Sequence, residues 1–83
     1  MLSPDPIDVQ VGRIIRTRRL AKGLTLDELG RRLGVSYQQI QKYEKGINRV
    51  SVSTLYRIAA ILGVTPTAFF RDLSTYFHLP NGR

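Results

Sequence analysis

Apolar residues recur along the chain at three- and four-residue spacing, and glycines and small polar residues cut that pattern into five short helical segments. No stretch sustains the period-2 alternation of a strand, so the chain reads as all-α. Ser3-Pro4-Asp5-Pro6 disfavours regular structure and places an arm at residues 1–7. A first helix follows from about Asp8 to Lys22, with Asp8 as N-cap, Val11 and Ile15 as inward anchors and Gly23 as C-cap. The second opens at Thr25-Leu26-Asp27-Glu28, the spacing at which a threonine hydroxyl and a glutamate carboxylate cap each other's amides. Leu29 and Leu33 carry its buried face.

Gly34 breaks that helix, Val35 supplies an apolar staple, and Ser36-Tyr37-Gln38-Gln39 repeats the capping-box spacing to start a third helix ending near Gly46. A loop from Ile47 to Val52 leads to a fourth helix from about Ser53 to Leu62, whose Leu55, Ile58, Ala59 and Leu62 share one face. Thr65-Pro66 starts a fifth helix reaching about Leu73, since proline at the first helical position loses no hydrogen bond. The domain therefore spans residues 8–73, and residues 74–83 form a tail.

Eighty-three residues fit one small domain. Thirteen Lys and Arg against six Asp and Glu give a net charge of +7. Eleven of those basic residues and only three of the acidic ones lie between Arg13 and Arg57, which makes that segment +8 and the two ends together −1. Such concentration suggests one electropositive surface and a polyanionic partner. The absence of cysteine excludes a disulfide scaffold, and the single histidine, His78, cannot complete a zinc tetrad, so neither metal nor cofactor is expected. The N-terminus lacks the basic-then-apolar order of a secretory signal, and no run approaches the roughly 20 apolar residues of a membrane helix. A soluble cytoplasmic protein without a membrane partner is the expectation.

Two capped helices joined by a short glycine-containing turn in a small basic all-α domain describe a helix-turn-helix. Advancing about 100° per residue with Ile40 and Tyr43 inward sends Gln38, Gln41, Lys42 and Lys45 outward, with Tyr37 and Gln39 on the flanks. Glutamine can bond adenine N6 and N7 together and lysine can donate to guanine O6 and N7, so this face suits a major-groove edge. Tyr37, Gln38, Gln41 and Lys42 are the candidate base readers. Helix starts offer free amides and a positive dipole end to phosphate, which marks Thr25, Ser36 and Ser53. Lys45, Asn48 and Arg49 follow the reader in a loop suited to the backbone, whereas Arg13, Arg16, Arg31 and Arg32 act as field. Nothing resembles catalytic machinery: there is no phosphate-cradling glycine loop, and Asp27-Glu28 is occupied in capping.

Gly23-Leu24-Thr25, Glu28-Leu29, Leu33-Gly34-Val35-Ser36, Ile40, Tyr43-Glu44-Lys45-Gly46 and Leu62-Gly63-Val64 together resemble the Cro/repressor-type (Xre family), lambda-repressor-like helix-turn-helix domain over roughly Val11 to Phe70. The segment Gln38 to Glu44 further resembles a subset of Xre-type regulators common in alphaproteobacteria. The resemblance implies a five-helix domain that binds double-stranded operator DNA as a homodimer, as a transcriptional regulator and more specifically a repressor. It implies base contacts from Tyr37, Gln38 and Lys42, and an ion pair between Arg19 and Glu44 that ties the first helix to the third and holds Arg19 near phosphate. Two positions depart from the family pattern: Leu26 stands where a bracing glutamine is common, and Arg18 stands where leucine is common. Of the C-terminal aromatics, Phe69 has core spacing, and Phe70, Tyr76 and Phe77 are dimer candidates, an arrangement that would set two readers about 34 Å apart. An antitoxin or adaptor acting on a protein partner, or a restriction-modification controller, is the alternative on the same fold, and the chain could be part of a longer protein.

Overall fold

The computed structural model describes residues 3–77, and each helix in it begins where a side chain can satisfy an orphan amide. α1 runs Pro6–Ala21, because the Asp5 carboxylate accepts the Ile7 amide at 2.7 Å and Pro6 fills the first helical position. The helix thus starts two residues before the expected Asp8, which lies in its first turn and is released for a distant partner. The expected arm shrinks accordingly; Met1 and Leu2 lie outside the described residues. At the other end Lys22 is the C-cap, and Gly23 is the next residue out.

α2 (Leu26–Leu33) carries the complete capping box, with the Glu28 amide donating to Thr25 Oγ1 and the Thr25 amide to Glu28 Oε1, both at 3.0 Å. The Thr25 amide, and after it the Thr25 hydroxyl, hold the Glu28 carboxyl below the usual carboxylate range. The stabilisation this gives is present above that range and is lost as pH falls through the depressed value. Thr25→Ala is expected to lower stability by about 1 kcal/mol, read as a reduced urea midpoint with an unchanged slope.

Gly34 adopts φ +86°, a left-handed conformation that side chains resist, and lets its own amide and that of Val35 both reach the Gly30 carbonyl. This three-residue turn delivers the chain to α3 (Tyr37–Glu44), whose Gln39 amide donates to Ser36 Oγ at 3.2 Å. The reciprocal half of the expected second box does not form. Gln39 Oε1 accepts from Asn48 Nδ2 instead, at 3.4 Å, because the following loop folds back beside the helix.

α4 spans Val52–Leu62 with Ser51, not Ser53, as N-cap; Ser51 Oγ accepts the Thr54 amide at 3.1 Å, and its extended backbone suits the cap. Ser53 is therefore the second residue inside the helix and is not the capping group it was expected to be. α5 runs Pro66–Tyr76, three residues beyond Leu73. The Ser74 and Thr75 hydroxyls donate to the carbonyls of Phe70 and Asp72, so residues read as tail carry the helix on. The expected tail beyond Phe77 lies outside the described residues.

The core gathers Ile14 and Ile15 of α1, Leu24, Leu29, Ile40, Ile58, Ala59, Leu62 and Phe69, with Val11, Leu33 and Leu55 packed around it. Burying a side chain such as Ile15, Leu29, Ile40 or Ile58 contributes roughly 1.5–3 kcal/mol each, so all five helices share in holding one centre. Gly12 of α1 faces the C-terminal carbonyls of α3 so closely that a Cβ there would lie 2.5 Å from the Glu44 carbonyl oxygen. This approach sets the position of α3 on the body of the domain.

Candidate nucleic-acid interface

Ile40 and Glu44 are buried and Tyr43 half-buried, so α3 turns one side into the domain and leaves Tyr37, Gln38, Gln41 and Lys42 exposed. These are the four candidate readers, and the structure brings them onto one outward side. Tyr37 is 47% exposed, so about half of its side chain is open to a partner. Leu26, in place of a bracing glutamine, packs against the core and supplies no hydrogen bond to the reader.

The reader is held from below by a buried ionic fork. Arg19 Nε and the second terminal nitrogen donate to the two Glu44 carboxylate oxygens at 2.6 and 3.1 Å, and the remaining nitrogen donates to the Leu24 carbonyl at 2.8 Å. Both side chains are under 10% exposed. One guanidinium thereby fixes the end of α3, the body of α1 and the entry to α2, a planar geometry lysine could not reproduce. The fork engages three of the five guanidinium N–H donors of Arg19.

The backbone-contact candidates divide. Thr25 and Ser36 use their hydroxyl oxygens to cap α2 and α3, and the Thr25 hydroxyl also serves the Glu28 carboxylate. Lys45 is exposed at the end of α3. Asn48 is half-buried and turned towards Gln39. Arg49 is exposed but not unattached: its Nε donates to Asp8 Oδ2 at 3.0 Å, which raises its pKa above the ordinary guanidinium value. Arg31, expected to act as free field, pairs with Asp27 at 2.7 Å one turn earlier on α2.

Sequence reasoning missed two long-range ion pairs. Arg18 Nε and a terminal nitrogen donate to Asp72 Oδ2 at 3.1 and 2.8 Å, which accounts for a polar residue at that position by tying α1 to α5. The other is the Asp8 and Arg49 pair, and no spacing rule reaches across 41 residues. Of the dimer candidates, Phe70 and Tyr76 are exposed and Phe77 half-buried, while Phe69 is buried in the core. Val52 and Tyr56 at the start of α4 are exposed as well, and nothing in the hydrophobic pattern singled them out. Among the described residues no single helix is long and apolar enough to cross a membrane.

Comparison with known proteins adds to this geometry. The helix-turn-helix family profile matches residues 15–69. An HTH-type transcriptional regulator of Rhizobium meliloti is 52% identical over 69 residues, covering 83% of this chain and 50% of the relative. A transcriptional regulator in the ATPase CF(0) region of Rhodospirillum rubrum is 54% identical over 67 residues, 81% of this chain and 62% of the relative. The chain thus spans about half to three-fifths of the length of these curated relatives. Among solved structures, the restriction-modification controller C.AhdI from Aeromonas hydrophila superposes with TM-score 0.67 at 29% identity, covering 78% of this chain and 92% of that one. The clp gene regulator ClgR from Corynebacterium glutamicum shares the fold, with TM-score 0.83 at 24% identity over 96% of this chain and 85% of its own. A glycine-linked pair of capped helices, packed on α1 through the Arg19 and Glu44 fork, stands inside the matched region, and the chain belongs to the Xre-type (Cro/repressor) helix-turn-helix family.

Proposed function

We propose that the chain is the DNA-binding part of a cytoplasmic, non-enzymatic transcriptional regulator, a repressor, that reads the major groove of double-stranded operator DNA with α3. The observation that carries the reading is the exposed amide-and-amine side formed by Gln38, Gln41 and Lys42 on a helix clamped by a buried ion pair. Rigid placement matters because base-edge hydrogen bonds discriminate only when donors arrive in register. Backbone contacts come from Thr25, Ser36, Lys45, Asn48 and Arg49. For Arg49 a phosphate must displace the Asp8 carboxylate, so its contact is an exchange of one anion for another. A second copy of the chain, docked through Phe70, Tyr76 and Phe77, would present paired readers to successive major grooves. The curated relatives above half identity are named as transcriptional regulators, which favours this reading over a restriction-modification controller or a protein-binding antitoxin.

The test is affinity for a duplex selected from a random pool against a scrambled duplex at one fixed salt concentration. A ratio of about 10³ or more is expected, and equal affinities would remove the regulator reading. Lys42→Ala is expected to cost about 1–3 kcal/mol and to relax preference at one base pair of each half-site, whereas Arg49→Ala weakens all sequences alike and lowers the salt slope by about one. A uniform loss for Lys42→Ala would reassign that side chain to phosphate.

A further inference from the structure

Gly12, Arg16 and Arg19 stand at i, i+4 and i+7 along α1 and so share one face of the helix. The outer two are fixed against α3: Gly12 approaches the carbonyls of Tyr43 and Glu44, and Arg19 forks onto Glu44. Arg16 between them is thereby directed along the end of α3, where it lines a cleft of about 290 Å³ together with Arg19, Leu26, Gln41, Glu44 and Lys45.

We infer that this cleft seats one phosphate of the DNA backbone beside the reading helix, with Arg16 and Lys45 as its two ligating cations. The inference rests on the DNA-binding reading above and deepens it, because Arg16 moves from diffuse field to direct contact. Three cations and one carboxylate line the cleft, and that carboxylate is consumed by Arg19. Arg16 and Lys45 are exposed and form no ion pair among the described residues, so two uncompensated charges face the opening. The Leu26 side chain forms an apolar wall beside the internally neutralised fork, which leaves the charges of Arg16 and Lys45 to act on an anion entering between them. Gln41 belongs both to the cleft and to the outward side of α3, so an anion held here borders the bases being read. A backbone phosphate occupies that place when a helix lies in the major groove, and such contacts fix register rather than sequence. Leu26 supplies no hydrogen bond to the reader, and the seated phosphate takes over the task of holding α3 in register on the duplex.

The experiment compares Arg16→Gln with Arg13→Gln on the intact chain, using the duplex selected by the wild type and its scrambled counterpart over a salt series. Arg13 is exposed on the same helix and does not line the cleft, so it reports the loss of one charge without the contact. Arg16→Gln is expected to lower the slope of log K against log salt by about 0.9 on both duplexes, equivalent to about an eightfold loss at about 0.1 M salt. Arg13→Gln is expected to change that slope far less. A scan of the selected duplex with single neutral methylphosphonates is expected to find one position per half-site where wild type loses more affinity than Arg16→Gln, which keeps only its Lys45 contact there. Equal slopes for the two variants, or no such position, would overturn the cleft while leaving the reading helix in place. Wild-type protein that binds both duplexes equally, or neither, would overturn the regulator reading, and binding to neither would overturn the cleft with it.

Discussion

Glu44→Ala is expected to destabilise the domain by about 3–5 kcal/mol, a large part of the roughly 4–12 kcal/mol available to a chain of this size. The reason is what remains rather than what is removed. Arg19 would stay in a site where both side chains are almost fully enclosed, with two of its three engaged nitrogens left without an acceptor. Water cannot replace the carboxylate there without opening the packing between α1 and α3. The net value of the pair is smaller than the cost of breaking it, so the double variant Arg19→Met, Glu44→Leu is expected to recover much of the loss. Urea unfolding of the three proteins checks this. A Glu44→Ala midpoint matching wild type would mean the fork is not enclosed in solution.

Gly12→Ala is the second large effect, and its sign runs against propensity. In an open helix the change gains about 1 kcal/mol. Here the added carbon would lie 2.5 Å from the Glu44 carbonyl oxygen and 2.7 Å from its carbon, and both are backbone atoms that cannot rotate aside. The helices must separate, at a cost of about 1–3 kcal/mol for overpacking, and the displacement carries the outward side of α3 with it. DNA affinity is therefore expected to fall by more than the change in folded fraction accounts for. Thermal melts and duplex binding on the same sample check both parts. A raised melting temperature would show that α1 and α3 stand farther apart than described.

What the amino-acid sequence made legible was local. The Thr25 and Glu28 box, Gly34 at the turn and Ser36 before the reader lie within a few residues of the structure they dictate, and α2, the turn and α3 form where that spacing places them. The outward side of α3 followed from periodicity with Ile40 and Tyr43 set inward: Ile40 is buried, Tyr43 half-buried, and Gln38, Gln41 and Lys42 point out. The Arg19 and Glu44 pair was different: 25 residues separate the partners, and only the family resemblance suggested their meeting. Asp8 reads as the cap of α1, but Pro6 suits the first helical position and the cap is Asp5 before it. Ser74 and Thr75 read as tail because their hydroxyls suit turns, yet in the structure they bond back to carbonyls of their own helix. The pairs Arg18 with Asp72 and Asp8 with Arg49 depend on how α1 meets α5 and the loop after α3, information that no local pattern holds.

The most direct test of the central claim is the ratio of affinities for the selected and scrambled duplexes in the double variant Gln38→Ala, Lys42→Ala. Both positions are exposed and uninvolved in holding the fold, so the melting temperature and the affinity for scrambled DNA are expected to stay near wild type. Each lost base contact removes about 1–3 kcal/mol of discrimination, so the ratio is expected to fall by about two orders of magnitude or more. A ratio unchanged from wild type, with the fold intact, would contradict the claim that this side of α3 reads bases.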